Sequence, residues 1–192
     1  MAVLIVGLIL FLSVHSVRIV ADDWRTAQIA RVGPKAWKGV YTLLSITGLV
    51  LIVWGYGLAR QSPVLLYSPP TWLRHLGAAL TIPAFILVVA AYVPGTRIKR
   101  AVGHPMVLGV KLWALAHLLA NGALADLILF GSFLVWAVFN FAAARRRDRA
   151  AGTVYAAGPP SRDAIAVAVG LGAWAVFAFL LHGLLIGVRP FG

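Results

Sequence analysis

The sequence predicts an all-α polytopic membrane protein, a bundle of six transmembrane helices with both termini periplasmic. Three observations predict it. Of 192 residues, 61% are hydrophobic and 11% charged, and the mean hydropathy is +0.92. A soluble chain of this length could not bury that much apolar surface in one core. The apolar residues fall into long runs, most of them close to the roughly 20 residues that cross a bilayer. The charged residues sit mainly in the segments between those runs.

The first run is Ala2 to Val20. It lacks a basic leader, and Ala21-Asp22-Asp23 is a poor cleavage site, so it reads as a retained helix. The second is Gly39 to Ala59, the third Leu73 to Val93, and the fourth Pro105 to Ala120, with Asn121-Gly122 as its stop. The fifth is Ala123 to Ala144 and the sixth Ala164 to Val188. Gly158-Pro159-Pro160 marks the stretch from Arg145 to Asp163 as a flexible cytoplasmic loop. Residues 1–192 form one domain at this length. Gly183 and Gly187 make a single G-x-x-x-G, a spacing that lets helices approach closely.

Basic residues set the orientation. Thirteen lie at the end of or after the first, third and fifth runs: Arg18, Arg25, Arg31, Lys35, Lys38, Arg97, Lys99, Arg100, Arg145, Arg146, Arg147, Arg149 and Arg162. The other side holds three, Arg60, Arg74 and Arg189, while Lys111 lies within the fourth run. This asymmetry puts both termini outside. Trp24, Trp37, Trp72 and Tyr67 suit the interfacial belts. A net charge of +12 in a soluble protein would suggest nucleic acid; here it reads as basic loops facing the cytoplasm, and the expected contact is the lipid bilayer.

The chain has no cysteine, which excludes disulfides, thiolate zinc sites, Cys-ligated iron–sulfur clusters and c-type haem. Its five histidines are the most informative residues. His15 lies within the first run, His117 within the fourth and His182 in the outer part of the sixth; His75 and His104 stand at the entrances of the third and fourth. An ionisable group inside a span is costly and marks a candidate functional site. Solvation of His75, helix capping by His104 and an interhelical hydrogen bond from His182 are the structural alternatives. Embedded histidines without cysteine suggest haem b held by imidazoles. Asp126 is the only acidic residue well inside the fourth and fifth runs, so a carboxylate-rich hydrolytic metal centre is not expected.

Helical phase groups the candidates. Trp113, His117 and Asn121 recur every four residues and share one face. His104 stands about 140° around the helix from that face. Arg18, three residues after His15, could meet an acidic edge of a cofactor or serve as a cytoplasmic anchor. Trp54, Trp113, Trp136 and Trp174 are expected to be buried, lining a hydrophobic slot or packing the bundle.

Over nearly its whole length the sequence resembles the NnrU family of bacterial membrane proteins. The resemblance rests on Phe11-Leu12-Ser13-Val14-His15-Ser16, on Gly48 to Gly57, on Trp72-Leu73-Arg74-His75-Leu76, on His104-Pro105-Met106, and on Lys111 to Gly122 with Trp113 and His117, with His182 and Gly187 near the end. It implies a role in nitrite and nitric oxide metabolism in denitrifying bacteria, with a membrane redox or nitrogen-oxide partner. The sequence is also similar to the membrane haem b enzyme 15-cis-ζ-carotene isomerase, whose proposed axial ligands fall on His15 and His117. The isomerase carries a cysteine where this chain has Ala114, so thiolate ligand exchange is impossible here.

From their depths in six ideal spans, His15 and His117 stand about 13 Å apart along the membrane normal. That offset is awkward for two ligands of one iron, but the resemblance keeps His15 with His117 first; His104, closer to His15 in depth, makes His15 with His104 second, and His117 with His182 in the outer half is third. A carotenoid isomerase and a cofactor-free assembly subunit, in which Lys111 pairs with Asp126 or a partner, are the competing functions. Whether the chain is an enzyme stays open at this point.

Overall fold

The computed structural model describes residues 1–191. Their elements are α-helical, and no strand occurs among the described residues beyond an isolated bridge between Leu65 and Ala123. The helices are α1 (Ala2–Val20), α2 (Asp22–Val32), α3 (Pro34–Ala59), α4 (Thr71–Tyr92), α5 (Arg97–Val102), α6 (Pro105–Ala120), α7 (Leu124–Ala150), α8 (Pro160–Val176) and α9 (His182–Ile186). A π-helical turn, Phe177–Leu181, joins α8 to α9. Among the described residues, five helical stretches are long and apolar enough to cross a membrane: α1, α3, α4, α7 and the continuous Pro160–Ile186. The predicted fourth span, α6, is a shorter apolar helix of 16 residues.

Several boundaries differ from the sequence reading. The basic segment after α1 is not a plain loop: it folds into α2 and adds a turn and a half to the start of α3. Pro34 occupies the first turn of α3, where its missing N–H costs nothing. Thr96 caps α5 by accepting from Lys99 N at 3.0 Å. The predicted flexible loop from Arg145 is helical as far as Ala150. The remaining loop is tied down. Gly158 N donates to Gly95 O at 2.7 Å, Arg162 Nη1 to Pro94 O at 2.9 Å, and Ile98 N to Asp163 Oδ1 at 3.1 Å. Turn residues marked a break in the helix there, but not its rigidity, which comes from long-range bonds.

The chain forms two compact units. The first comprises Met1–Ser68 and Gly122–Asn140. In it α1 packs on α3 at backbone distance. A Cβ on Gly7 would stand 2.6 Å from Ile52 N, and one on Gly48 would stand 2.9 Å from Phe11 Cβ. One on Gly55 would overlap the Leu4 backbone. Lipid offers little hydrophobic drive between helices, so close van der Waals packing at small residues supplies it. At the start of α7, Asp126 accepts from Ala123 N at 3.0 Å and from the Tyr56 hydroxyl at 2.5 Å, which fastens α7 to α3. Asp126 is 8% exposed.

The second unit comprises Pro69–Asn121 and the chain from Phe141 onward. Here α4 is central, packed on α6 and α8. A Cβ on Gly109 would lie 2.8 Å from Ala84 O, and one on Gly170 would lie 2.7 Å from Ile86 Cα. The Gly183–Gly187 pair is no helix-packing motif. Gly187 has φ +75°, ends α9 in the left-handed region and has nothing within 4 Å of an added Cβ.

Candidate functional site

The second unit contains a cavity of about 400 Å³, within the range of roughly 300–1,000 Å³ usual for ligand sites. Gly77 of α4 and Ala116 of α6 allow the backbones to meet beneath it, an added Cβ on Gly77 falling 2.6 Å from Ala116 O. Trp113, His117 and Asn121 all line it, so the face read from their spacing is the face that opens on the cavity. Facing residues come from α4, with Thr81 and Phe85, and from α8, the π turn and α9, with Trp174, Phe177 and His182. Arg74 and Arg189, both exposed, form its charged rim.

Local bonds orient these side chains. His117 Nδ1 lies 2.8 Å from Trp113 O, one helical turn back. A carbonyl only accepts, so Nδ1 carries the hydrogen and Nε2 carries the lone pair. Asn121 Nδ2 donates to His117 O at 2.9 Å and closes the end of α6. Trp174 Nε1 donates to Thr81 Oγ1 at 2.9 Å, and Thr81 passes its own hydrogen to Ala78 O at 2.6 Å. His182 Nδ1 donates to Val188 O at 2.6 Å, which again leaves the lone pair on Nε2. The π turn between Trp174 and His182 changes the helical phase, and both side chains reach the same cavity; such turns recur at functional sites.

The other predicted residues lie elsewhere. His15 belongs to the first unit. Its Nδ1 donates to Phe11 O at 2.7 Å, the same one-turn bond that His117 makes. Its ring stacks on Phe11 with centroids 4.1 Å apart and meets Tyr41 at 5.2 Å and the edge of Trp136 at 6.2 Å. Arg18 is exposed and approaches Asp22 at 3.7 Å, which suits an interfacial anchor. His104 is the N-cap residue of α6 but makes no side-chain cap. Its Nε2 donates instead to Asp148 Oδ2 at 2.8 Å, and the Tyr155 hydroxyl reaches both oxygens of the same carboxylate at 3.1 Å. Burial and Asp148 raise the Tyr155 phenol above its usual range, against the opposing charge of Arg145. His75 is exposed. Trp54 is no slot residue: it is 58% exposed and faces outward from its unit. Lys111 lies over the Phe141 ring at 5.0 Å, while Asp126 holds Tyr56.

Sequence reasoning missed Arg74, Arg189 and Thr81 as parts of this site, and Tyr56 as the partner of Asp126. Position 126 did carry a signal, since an acid three residues into a helix can bond back to its N-terminus. No group of three or more His, Cys, Asp or Glu side chains suited to a metal ion occurs among the described residues. A cofactor here would have to bring most of its own ligands.

These features define an integral membrane protein with a cavity lined by histidine and aromatic side chains and rimmed by arginines. The NnrU protein family matches residues 3–190, and the chain belongs to that family. No curated protein and no solved structure matches the chain.

Proposed function

We propose that this NnrU-family protein binds haem b in the cavity of the second unit, with His117 as an iron ligand, and acts in nitrite and nitric oxide metabolism at the bacterial inner membrane. The observation that carries the reading is the shared lining. His117 and His182 face one cavity, and each donates Nδ1–H to a carbonyl, which presents Nε2 as a lone-pair donor. That hydrogen bond is the usual way a ligating histidine is oriented and made more basic. The donor set fits the cofactor. Imidazoles suit iron, Trp113, Phe85, Trp174 and Phe177 suit an apolar ring, and a porphyrin supplies four of the nitrogen ligands that the protein lacks. When bound, the haem would supply one-electron chemistry or gas binding.

His182 is the second ligand this cavity favours. The similarity to ζ-carotene isomerase favours His15, whose tautomer is equally suited. The six-span topology with periplasmic termini belongs to the same reading. In it α6, about 24 Å long, is the fourth of six spans and the shortest. Helices shorter than the roughly 30 Å hydrocarbon core are accommodated by local thinning. The basic residues of α2, α5 and the end of α7 then share the cytoplasmic side.

The test is an absorption spectrum of detergent-purified protein, oxidised and dithionite-reduced, with a pyridine haemochrome assay. The expected result is a Soret band and about one b-type haem per chain. A colourless protein made with ample haem supply would reject the reading and leave an assembly role.

A further inference from the structure

We infer that the cavity of the second unit selects a ligand bearing carboxylates, and that Arg74 and Arg189 hold those acid groups at its rim. The inference rests on the proposed function for the planar shape of the ligand, but not for its iron. No aspartate or glutamate lines the cavity. The two acids of the same unit are committed elsewhere. Asp148 accepts from His104 and Tyr155, and Asp163 accepts from Ile98 N. Two guanidinium groups thus stand at one apolar opening with no carboxylate of the cavity lining to match them.

Their positions are constrained. Arg74 Nη2 donates to Thr71 Oγ1 at 3.3 Å, one turn away on α4. The Arg189 side chain folds back over Gly183, where an added Cβ would meet Arg189 Cγ at 3.3 Å. His182, next to Gly183, donates to the Val188 carbonyl, so the return of the chain after α9 brings Arg189 to the rim. A guanidinium fork matches a carboxylate in shape and charge, and the pairing is stronger where apolar walls exclude water. Arg18, by contrast, is an exposed side chain of the other unit beside Asp22.

The experiment uses metal-free protoporphyrin IX and its dimethyl ester, titrated into the full-length protein in phosphatidylcholine nanodiscs, with empty nanodiscs as the reference. The expected result is saturable binding of the free acid to wild type. In the double variant R74Q/R189Q that affinity falls about tenfold or more, and the ester binds both proteins equally weakly. Equal affinity of acid and ester, unchanged affinity in the double variant, or no saturable binding would each overturn the inference. So would displacement of the porphyrin when phosphatidylglycerol replaces phosphatidylcholine, because the arginines would then be headgroup sites. Protoporphyrin binding that depends on the arginines in a protein that forms no haem complex would remove the haem proposal and leave this inference standing.

Discussion

His15 and His117 make the same local bond and live in different surroundings. Each donates Nδ1–H to the carbonyl one turn earlier on an apolar helix, at 2.7 and 2.8 Å. His15 is then enclosed by the rings of Phe11, Tyr41 and Trp136. His117 stands in the wall of a cavity that also holds His182 and is rimmed by Arg74 and Arg189. The comparison separates two properties that an embedded histidine in a sequence merges. Its tautomer is set within four residues of chain. Its availability to a ligand is set by elements distant in the chain, Tyr41 and Trp136 around His15 and Thr81, Phe85 and His182 around His117.

The largest effect expected from this contrast is on cofactor content. His117→Ala should remove most of the bound haem, measured by haemochrome per chain, while His15→Phe, which keeps a ring against Phe11 and Tyr41, should retain most of it. The reverse order would transfer the site to the first unit. Next comes the packing of α1 on α3. Gly55→Val would force the Leu4 backbone away and cost on the order of 3 kcal/mol or more, so the variant should fail to accumulate or should lose several degrees in thermal unfolding. Gly57→Val, where nothing lies within 4 Å of an added Cβ, should be tolerated.

A smaller loss is expected at Asp126→Leu, which strands the Tyr56 hydroxyl and Ala123 N. About 1–3 kcal/mol should be lost, read as a lower midpoint in a denaturation series; no change would show that the carboxylate does not fasten α7. The smallest effect belongs to the strap around Tyr155. Its phenol is raised above its ordinary value of about 10, so it favours the folded state while protonated. That contribution is complete below the ordinary phenol range and is lost as pH rises through the raised value. Proteolysis of the 151–159 loop should therefore increase above about pH 10, and Tyr155→Phe should make cleavage less dependent on pH.

Much of the fold was legible in the sequence because membrane spans are written as local runs. Ala2–Val20 and Pro105–Ala120 are helices with the boundaries the apolar residues gave. The face of Trp113, His117 and Asn121 followed from a period of four. Polar helices were not legible. α2 and α5 lack an apolar run and carry only short local signals, Asp22 and Asp23 in the first turn of α2 and the Thr96 cap of α5. Trp54 shows the limit of composition in a bilayer, where an apolar side chain is as stable facing lipid as facing the core. Of the site, His117 was found and its rim was not. Arg74 and Arg189 looked like isolated outer-face charges, because nothing local couples positions 115 residues apart. The π turn that shifts the phase of His182 has no local signature either.

The central claim is that the cavity of the second unit holds haem through His117. The most direct test is haem per chain in purified wild type and His117→Ala, expressed side by side with ample haem and compared at equal folded protein. The account predicts about one b-type haem in wild type and little in the variant. Equal haem in the two proteins, with an unchanged Soret band, would contradict it.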